Sequence, residues 1–240
     1  MSERFAIYYA PGADTPLWLK AAEWLGRDPL TGATFDGPLA GTTRSAVFER
    51  SVSARRYGFH ATIKAPMALK AGTSRAELED ALAAFAEDAE PVAIGKLKLH
   101  LIDGFIALVP AEQTAELTEF AGNVVEAFDR FRAPPSEAER ARRLKGGRLS
   151  ARQIELIERF GYPYVLEQFQ LHMTLTDRLP EAEREEYLRI AAGHFGALAE
   201  AETVLDRLVL FHEPEAGAPF VRLGDFVLTG EAIDERVRAR

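Results

Sequence analysis

Apolar positions recur along this chain with two different periods, which predict strands in some segments and helices in others. Apolar residues that alternate with polar ones predict strands, and this pattern is found in residues 4–10, 57–63, 92–101, 105–109, 166–176, 204–212 and 220–228. A spacing of three to four predicts helices, and it is found in residues 15–25, 74–87, 111–131, 150–160 and 181–193. Residues 26–50 are rich in Gly, Pro, Asp and Thr, so we expect a long loop region there.

Residues at the boundaries of these segments support the assignment. Thr15, which is followed by a proline, suits the N-cap of a helix. Ser74 and Glu77 have the spacing of a capping box, in which each side chain bonds the other's backbone N–H. Asp103 and Gly104, between two apolar runs, are typical of a hairpin turn. Several element boundaries are therefore marked by residues with a known structural preference.

The order of the predicted elements repeats along the chain. After a first strand and helix, the order is strand, helix, strand, strand; a helical excursion follows at about residues 134–164, and the same order then returns. This repetition suggests a duplicated α+β unit, with each half building an antiparallel sheet. We expect residues 1–240 to form a single domain. The chain has no glycine-rich strand–helix turn of the Rossmann or P-loop kind.

Two short segments in two of the predicted strands share one pattern. His60 and Thr62 are separated by one apolar residue and flanked by two more, and so are His172 and Thr174. Alternate side chains of a strand share a face, so each His and Thr would point one way while the apolar residues point into a core. Two such strands facing each other would bring two imidazoles and two hydroxyls to one cleft. Paired histidines suit acid–base chemistry near neutral pH.

Further side chains are candidates for binding a substrate in that cleft. Lys64 lies two residues beyond Thr62 on the same face and could add positive charge, although a surface lysine at a strand end is an equally good interpretation. Tyr8 and Tyr57 lie on strands that could border the site, and each offers a ring for stacking and a hydroxyl for hydrogen bonding. Residues 140–148 are basic and fit a solvated helix end and loop, with a phosphate-binding lid as the alternative.

Composition narrows the possible functions. The 240 residues include no Cys, which excludes a disulfide framework, a thiolate nucleophile and a Cys-ligated zinc. The net charge of -8 argues against a long nucleic acid as partner, but it allows a small phosphorylated ligand in a locally basic cleft. No apolar run approaches the ~20 residues that span a bilayer, and the N-terminus lacks a signal-peptide pattern. We therefore expect a cytoplasmic protein with no membrane partner.

The paired His-x-Thr strands resemble those of the two-histidine (2H) phosphoesterase superfamily. More narrowly, the chain is similar to the 2H family associated with phosphonate metabolism, DUF1045. The similarity is carried by residues 8–11, 18–28, 56–66, 149–153, 161–164 and 172–176. It implies a bilobal fold of duplicated antiparallel-sheet units, with helices on the outer faces and both motifs in a central cleft.

The same resemblance implies a role for each motif residue. His60 and His172 would be the catalytic pair, and Thr62 and Thr174 would bind the phosphate. The setting would be the breakdown of carbon–phosphorus compounds.

The favoured hypothesis is a metal-independent phosphoesterase that needs no cofactor and hydrolyses a small phosphodiester, expected to be cyclic. One imidazole would deprotonate the attacking water and the other would protonate the leaving alkoxide, while the threonines hold the non-bridging oxygens. The pattern leaves open which histidine is the base, and the oligomeric state is open as well. A non-catalytic sensor of a phosphorylated metabolite is the main alternative. A metallohydrolase is disfavoured, because the chain has no His-x-His or His-Glu-x-x-His motif.

Overall fold

The computed structural model describes residues 3–135, 137, 140, 141 and 149–230. Its strands are β1 (Arg4–Tyr9), β2 (Ala61–Met67), β3 (Val92–Gly95), β4 (Leu97–Ile102), β5 (Phe105–Pro110), β6 (Met173–Thr174), β7 (Thr203–Leu205), β8 (Arg207–Glu213) and β9 (Val221–Val227). Its α-helices are α1 (Pro16–Leu25), α2 (Arg44–Glu49), α3 (Val52–Tyr57), α4 (Arg75–Asp88), α5 (Ala115–Phe128), α6 (Ala151–Phe160) and α7 (Arg184–Ala199). Short 3₁₀ turns cover Asp129–Phe131, Leu166–Gln168 and Glu181–Glu183.

Seven of the strands form one antiparallel sheet in the order β4-β5-β6-β2-β1-β8-β9, and β3 pairs with β7 in a separate two-stranded sheet. This combination of helices and antiparallel sheets confirms the predicted α+β class. The hairpin β4–β5 belongs to the first half but pairs with β6 of the second half. The hairpin β8–β9 belongs to the second half but pairs with β1, which is the neighbour of β2. The duplicated units therefore share one sheet and exchange hairpins around the central β2–β6 pair.

The two motif strands have the orientation that their sequence pattern predicts. Ala61 and Ile63 of β2 are buried in the main hydrophobic core, and so are Met173 and Leu175 in and beside β6. Helix α5 packs on β2, α7 on β4 and β5, and α4 on β8 and β9. Because successive side chains of a strand alternate between its two faces, the His and Thr side chains of both motifs emerge on the face opposite to this core.

Local caps and turns form where the sequence predicts them. Thr15 accepts a backbone N–H at 3.3 Å at the start of α1, and Ser74 and Glu77 form the capping box of α4. Asp103 and Gly104, with φ values of 47° and 91°, form the turn between β4 and β5. These elements are encoded by short-range interactions, which explains why their positions can be read from the sequence.

Residues 44–57, predicted as the end of a loop and the start of a strand, instead contain α2 and α3. Thr43 caps α2 by accepting the N–H of Ala46 at 3.3 Å, so a local signal for this helix was present. The predicted long strand over residues 166–176 is mostly absent: Leu166 takes a positive φ of 53° and begins a 3₁₀ turn, and only Met173–Thr174 pair as β6.

Strand β2 continues through Pro66 to Met67, beyond the predicted end of this strand at residue 63. Pro66 lies at a register shift between the Phe5–Met67 and Ile7–Lys64 pairs of β1 and β2. A proline lacks the N–H that a regular ladder position needs, and an irregular position makes no such demand. Over the described ranges, no helix combines the length and apolar character needed to cross a bilayer.

Candidate active site

The register of the two central strands brings both motifs together on one face of the sheet. Ala61 of β2 lies opposite Met173 of β6 in an antiparallel pair. In the same antiparallel register, His60 lies opposite Thr174, and Thr62 lies opposite His172. Directly opposed side chains of adjacent strands are about 5 Å apart. The two histidines and two threonines therefore form a compact diagonal arrangement.

The imidazole of His60 is held by its own motif. Its Nδ1 lies 2.9 Å from the carbonyl oxygen of Gly58, and its Nε2 lies 3.2 Å from Oγ1 of Thr62. Gly58 has a φ of 80°, and a Cβ at this position would lie 2.7 Å from the Pro29 side chain, so only glycine fits. Since a carbonyl can only accept, Nδ1 carries the proton and Nε2 is free to accept one.

The surroundings of His60 favour its neutral form. Its ring stacks on Tyr8 with 3.8 Å between ring centroids and an interplanar angle of 23°, and the Phe211 ring lies at 6.1 Å. Burial lowers the pKa of His60 to about 4, with the nearby His172 acting in the same direction and the Gly58 hydrogen bond acting against it. At neutral pH this imidazole is therefore uncharged and able to accept a proton.

His172 has the same tether in different surroundings. Its Nδ1 lies 2.8 Å from the carbonyl oxygen of Gln170, two residues back, as Gly58 is two residues back from His60. The Phe105 ring lies 6.0 Å from its own, and the residue is half-buried, as His60 is. The same argument assigns the proton to Nδ1 and leaves Nε2 for proton transfer.

A cleft of about 270 Å³ opens beside these residues. It is lined by Tyr8, Ser53, Ala54, Tyr57, Gly58, His60, Thr62, Ala65, Pro66, Tyr162, Thr174 and Asp177. His60, both motif threonines and the two predicted tyrosines thus meet around one space. His172 lies on the same face, level with Thr62, and is close enough to His60 to influence its pKa.

Lys64 does not reach this cleft, contrary to the expectation from the sequence. Only 3% of the residue is exposed, and its ammonium donates to the Val125 carbonyl at 3.1 Å and to the Asp129 carboxylate at 2.9 Å. The β1–β2 register shifts between the pairs Ile7–Lys64 and Tyr8–Thr62, so Lys64 does not keep the phase of Thr62. Its charge is neutralised beneath the sheet instead of facing the site.

The two candidate tyrosines occupy different environments. Tyr8 is fully buried beneath His60, burial raises its pKa, and its hydroxyl has no hydrogen-bond partner among the described residues. Tyr8 therefore acts on the site through its ring, which packs against the imidazole of His60. Tyr57 is half-buried at the wall of the cleft, where its ring stacks on Phe220 with centroids 4.8 Å apart and the Arg56 guanidinium lies 4.6 Å from its centroid.

Tyr162 and Asp177 line the cleft but were not among the candidate residues. Tyr162 follows α6 in the excursion, and its segment belongs to the residues that carry the family resemblance, so a signal existed. Asp177 follows the second motif without a recognisable pattern of its own. In the basic segment, Arg140 pairs with Glu158 of α6 at 2.6 Å, whereas residues 142–148, where a lid was considered, lie outside the described residues.

Among the residues that the structure describes, no group of three or more His, Asp or Glu side chains is arranged to hold a metal ion.

This chain belongs to the DUF1045 family. The model of that family, described as "Protein of unknown function (DUF1045)", matches residues 62–221. The matched region contains Thr62, His172 and Thr174 and begins two residues after His60. The family membership expected from the sequence is confirmed.

Two curated relatives are similar over nearly the whole chain. A protein of Janthinobacterium sp. (strain Marseille) named "Ribose 1,5-bisphosphate phosphokinase PhnN" is 34% identical over 233 residues, covering 95% of this chain and 51% of the relative. The protein of the same name from Laribacter hongkongensis (strain HLHK9) is 37% identical over 218 residues, covering 90% and 50%. The chain therefore spans about half the length of the curated relatives it matches.

Solved structures show only distant similarity. E. coli LigT complexed with ATP is 12% identical, with a TM-score of 0.41 over 95% of this chain and 98% of LigT. E. coli LigT complexed with 3′-AMP is 16% identical, with a TM-score of 0.39 over 95% and 99%. Similarity at this level is too low to carry an argument about function, so the chemistry must be inferred from the site itself.

Proposed function

We propose that this chain is a phosphoesterase that hydrolyses a small phosphodiester, expected to be cyclic, by acid–base catalysis with His60 and His172. The observation that carries the proposal is the matched tether of the two rings. Each Nδ1 donates to the carbonyl two residues back, at 2.9 and 2.8 Å, which leaves each Nε2 for proton transfer. Phosphate binding alone needs donors but not two titrating groups, which favours an enzyme over a sensor.

The environments of the two rings support a division of roles. Neutral His60 accepts a proton from a water molecule as the water oxygen bonds to phosphorus. The bond from phosphorus to the leaving alkoxide breaks, and His172, in its charged form, donates a proton to that oxygen. The hydroxyl of Thr174 donates to a non-bridging oxygen, and so does that of Thr62 once it turns from Nε2 of His60 to the substrate; negative charge gathers on these oxygens in the transition state. Proton exchange with solvent then restores both imidazoles.

The size and walls of the cleft support a small substrate. Its volume of about 270 Å³ is slightly below the ~300–1,000 Å³ typical of pockets for drug-sized ligands. Tyr57 and Tyr162 offer ring faces and hydroxyls to a hydroxylated ring. The names of the two curated relatives contain ribose 1,5-bisphosphate, and this points to a phosphorylated ribose as the chemical setting.

Phosphoryl transfer of the kind in those names is not what we propose for this chain. Its sequence has no G-x-x-x-x-G-K-[ST] loop, in which backbone N–H groups cradle the phosphates of a nucleotide. Two imidazoles beside two hydroxyls fit ester hydrolysis, because that reaction needs a base, an acid and donors to the phosphoryl oxygens.

The proposal is tested by measuring hydrolysis of 2′,3′-, 1,2- and 3′,5′-cyclic phosphates in EDTA. Wild type is compared with His60→Ala, His172→Ala and, as a matched control, His100→Ala, which removes an exposed histidine of β4. We expect turnover in wild type and the control, and its loss in the other two variants.

Other outcomes of this experiment have definite meanings. Loss of wild-type turnover in EDTA, restored by zinc or manganese, would support the metallohydrolase. Binding of a cyclic phosphate without turnover in any protein would support the sensor.

A further inference from the structure

We propose that Asp177 is a positioning residue, which caps α3, the helix that immediately precedes His60, and thereby sets the spacing between the two motifs; this inference rests on the proposed function. Asp177 lies three residues after Thr174 in sequence, and α3 immediately precedes the first motif. One side chain thus connects two segments that are more than 120 residues apart.

The contacts of Asp177 join these two segments directly. Its carboxylate oxygens both lie 3.1 Å from the backbone nitrogen of Ser53, and one of them lies 3.4 Å from that of Ala54. Its own backbone N–H donates to the Arg50 carbonyl at 2.6 Å. The side chain of Arg50 in turn donates twice to Glu183, at 2.6 and 2.7 Å.

Helix α3 needs this distant cap because it has no local one. Ser51 occupies its N-cap position but makes no side-chain cap, since its hydroxyl donates back to the Val47 carbonyl at 2.7 Å. The first N–H groups of a helix lack partners within the helix. The carboxylate of Asp177 accepts hydrogen bonds from two of these N–H groups, and its negative charge also suits the positive end of the helix dipole.

The connection continues through α3 to the imidazole. The N–H of Gly58 donates to the Ala54 carbonyl at 2.9 Å, so Gly58 is fixed to the end of the helix. The carbonyl of the same glycine then accepts from Nδ1 of His60. A movement of the first turn of α3 would therefore move the imidazole relative to Thr174.

The other end of this connection is also fixed. The N–H of Ile106 in β5 donates to Oγ1 of Thr176 at 2.9 Å, and the Trp24 indole donates to the Leu175 carbonyl at 2.9 Å. The segment that carries Asp177 is thus anchored to the core of the protein. Asp177 therefore positions α3 against a fixed reference.

The test compares Asp177→Ala with Ser74→Ala, which removes the cap of α4, a helix that contributes no residue to the cleft. Both variants should lose a similar amount of thermal stability. In Asp177→Ala we also expect kcat to fall by roughly 10–100-fold with little change in KM, because misplacing a catalytic group costs rate. Ser74→Ala should keep its kcat. Asp177→Asn should recover much of the loss, because its amide oxygen accepts the same N–H groups.

A second variant separates an effect on the position of the imidazole from an effect on the stability of the protein. Asp177→Glu keeps the charge but lengthens the side chain by one methylene, so we expect a folded protein with reduced kcat even if Asp177→Ala does not fold. Wild-type kcat in Asp177→Glu, or a loss in Asp177→Ala no larger than that in Ser74→Ala, would overturn the proposal.

The outcome is also readable without any turnover. In NMR spectra, the ring resonances of His60 should move in Asp177→Ala and Asp177→Glu and stay in place in Ser74→Ala. If wild type cleaves no phosphodiester, the proposed function fails while this comparison still decides the positioning role. Unchanged His60 resonances in both Asp177 variants would show that the cap does not position the ring.

Discussion

The two His-x-Thr motifs are almost identical in local chemistry but differ in their surroundings. In both, Nδ1 is tethered to the carbonyl two residues back. His60 precedes the seven-residue strand β2 and stacks on buried Tyr8 at 3.8 Å. His172 precedes the two-residue strand β6, and the Phe105 ring lies 6.0 Å from its own. A repeated motif can therefore place its two histidines in different surroundings, because tertiary packing decides what lies against each ring.

The largest expected effect comes from removing either imidazole. His60→Ala and His172→Ala should each lower the rate by about 10²–10⁴-fold. If the roles differ as their surroundings indicate, His60→Ala should abolish the acidic limb of the kcat/KM–pH profile and His172→Ala the alkaline limb. Loss of the opposite limbs would reverse the assignment, and wild-type rates in both folded variants would end the catalytic interpretation.

The two threonine variants should lose similar amounts of rate, whereas the two histidine variants should differ in their pH dependence. Thr62→Ala and Thr174→Ala each remove one donor to a phosphoryl oxygen, which is worth on the order of 10–10³-fold in rate. Because each hydroxyl lies level with the histidine of the other motif, we expect similar losses of kcat in the two variants. Serine substitutions serve as controls, since they keep the hydroxyl. Unaltered kinetics in both alanine variants would place the threonines outside the site.

Substitutions of Tyr8 test the origin of the difference between the motifs. Tyr8→Leu removes the ring stacked on His60, lets water approach it, and should move the acidic limb of the kcat/KM profile upward by roughly one pH unit. Tyr8→Phe should leave this limb unchanged and should not destabilise the protein, because the hydroxyl has no hydrogen-bond partner in the described structure. An equal shift in both variants would assign the effect to the hydroxyl.

The smallest expected effect is on stability against pH. His60 has a pKa of about 4 in the folded protein against an ordinary value of 6.5, so the unfolded chain binds more protons between these values. The contribution of His60 is therefore present above about pH 6.5 and is lost as pH falls toward 4. Urea unfolding should show this loss, on the order of 1–2 kcal/mol, in wild type but not in His60→Gln.

Much of the site could be predicted because its signals are local. The spacing of His60 with Thr62 and of His172 with Thr174 predicts a shared face on each strand, and the core positions of Ala61 and Met173 agree with that phase. The α+β class followed from the repeated order of elements. The position of Lys64 was wrong because a register shift between Thr62 and Lys64 turns the lysine to the other face of β2.

The sequence by itself determined which side chains can do chemistry, where the helices with local caps begin, and which faces of the motif strands are apolar. Only the tertiary structure decided that the motif strands are neighbours with Ala61 opposite Met173, that His60 stacks on buried Tyr8, and that Asp177 caps α3. The physical reason is the separation in sequence of the residues that interact. Caps, turns and strand alternation depend on residues a few positions apart, whereas burial, strand register and a distant cap exist only once segments about 50 to 120 residues apart have packed together.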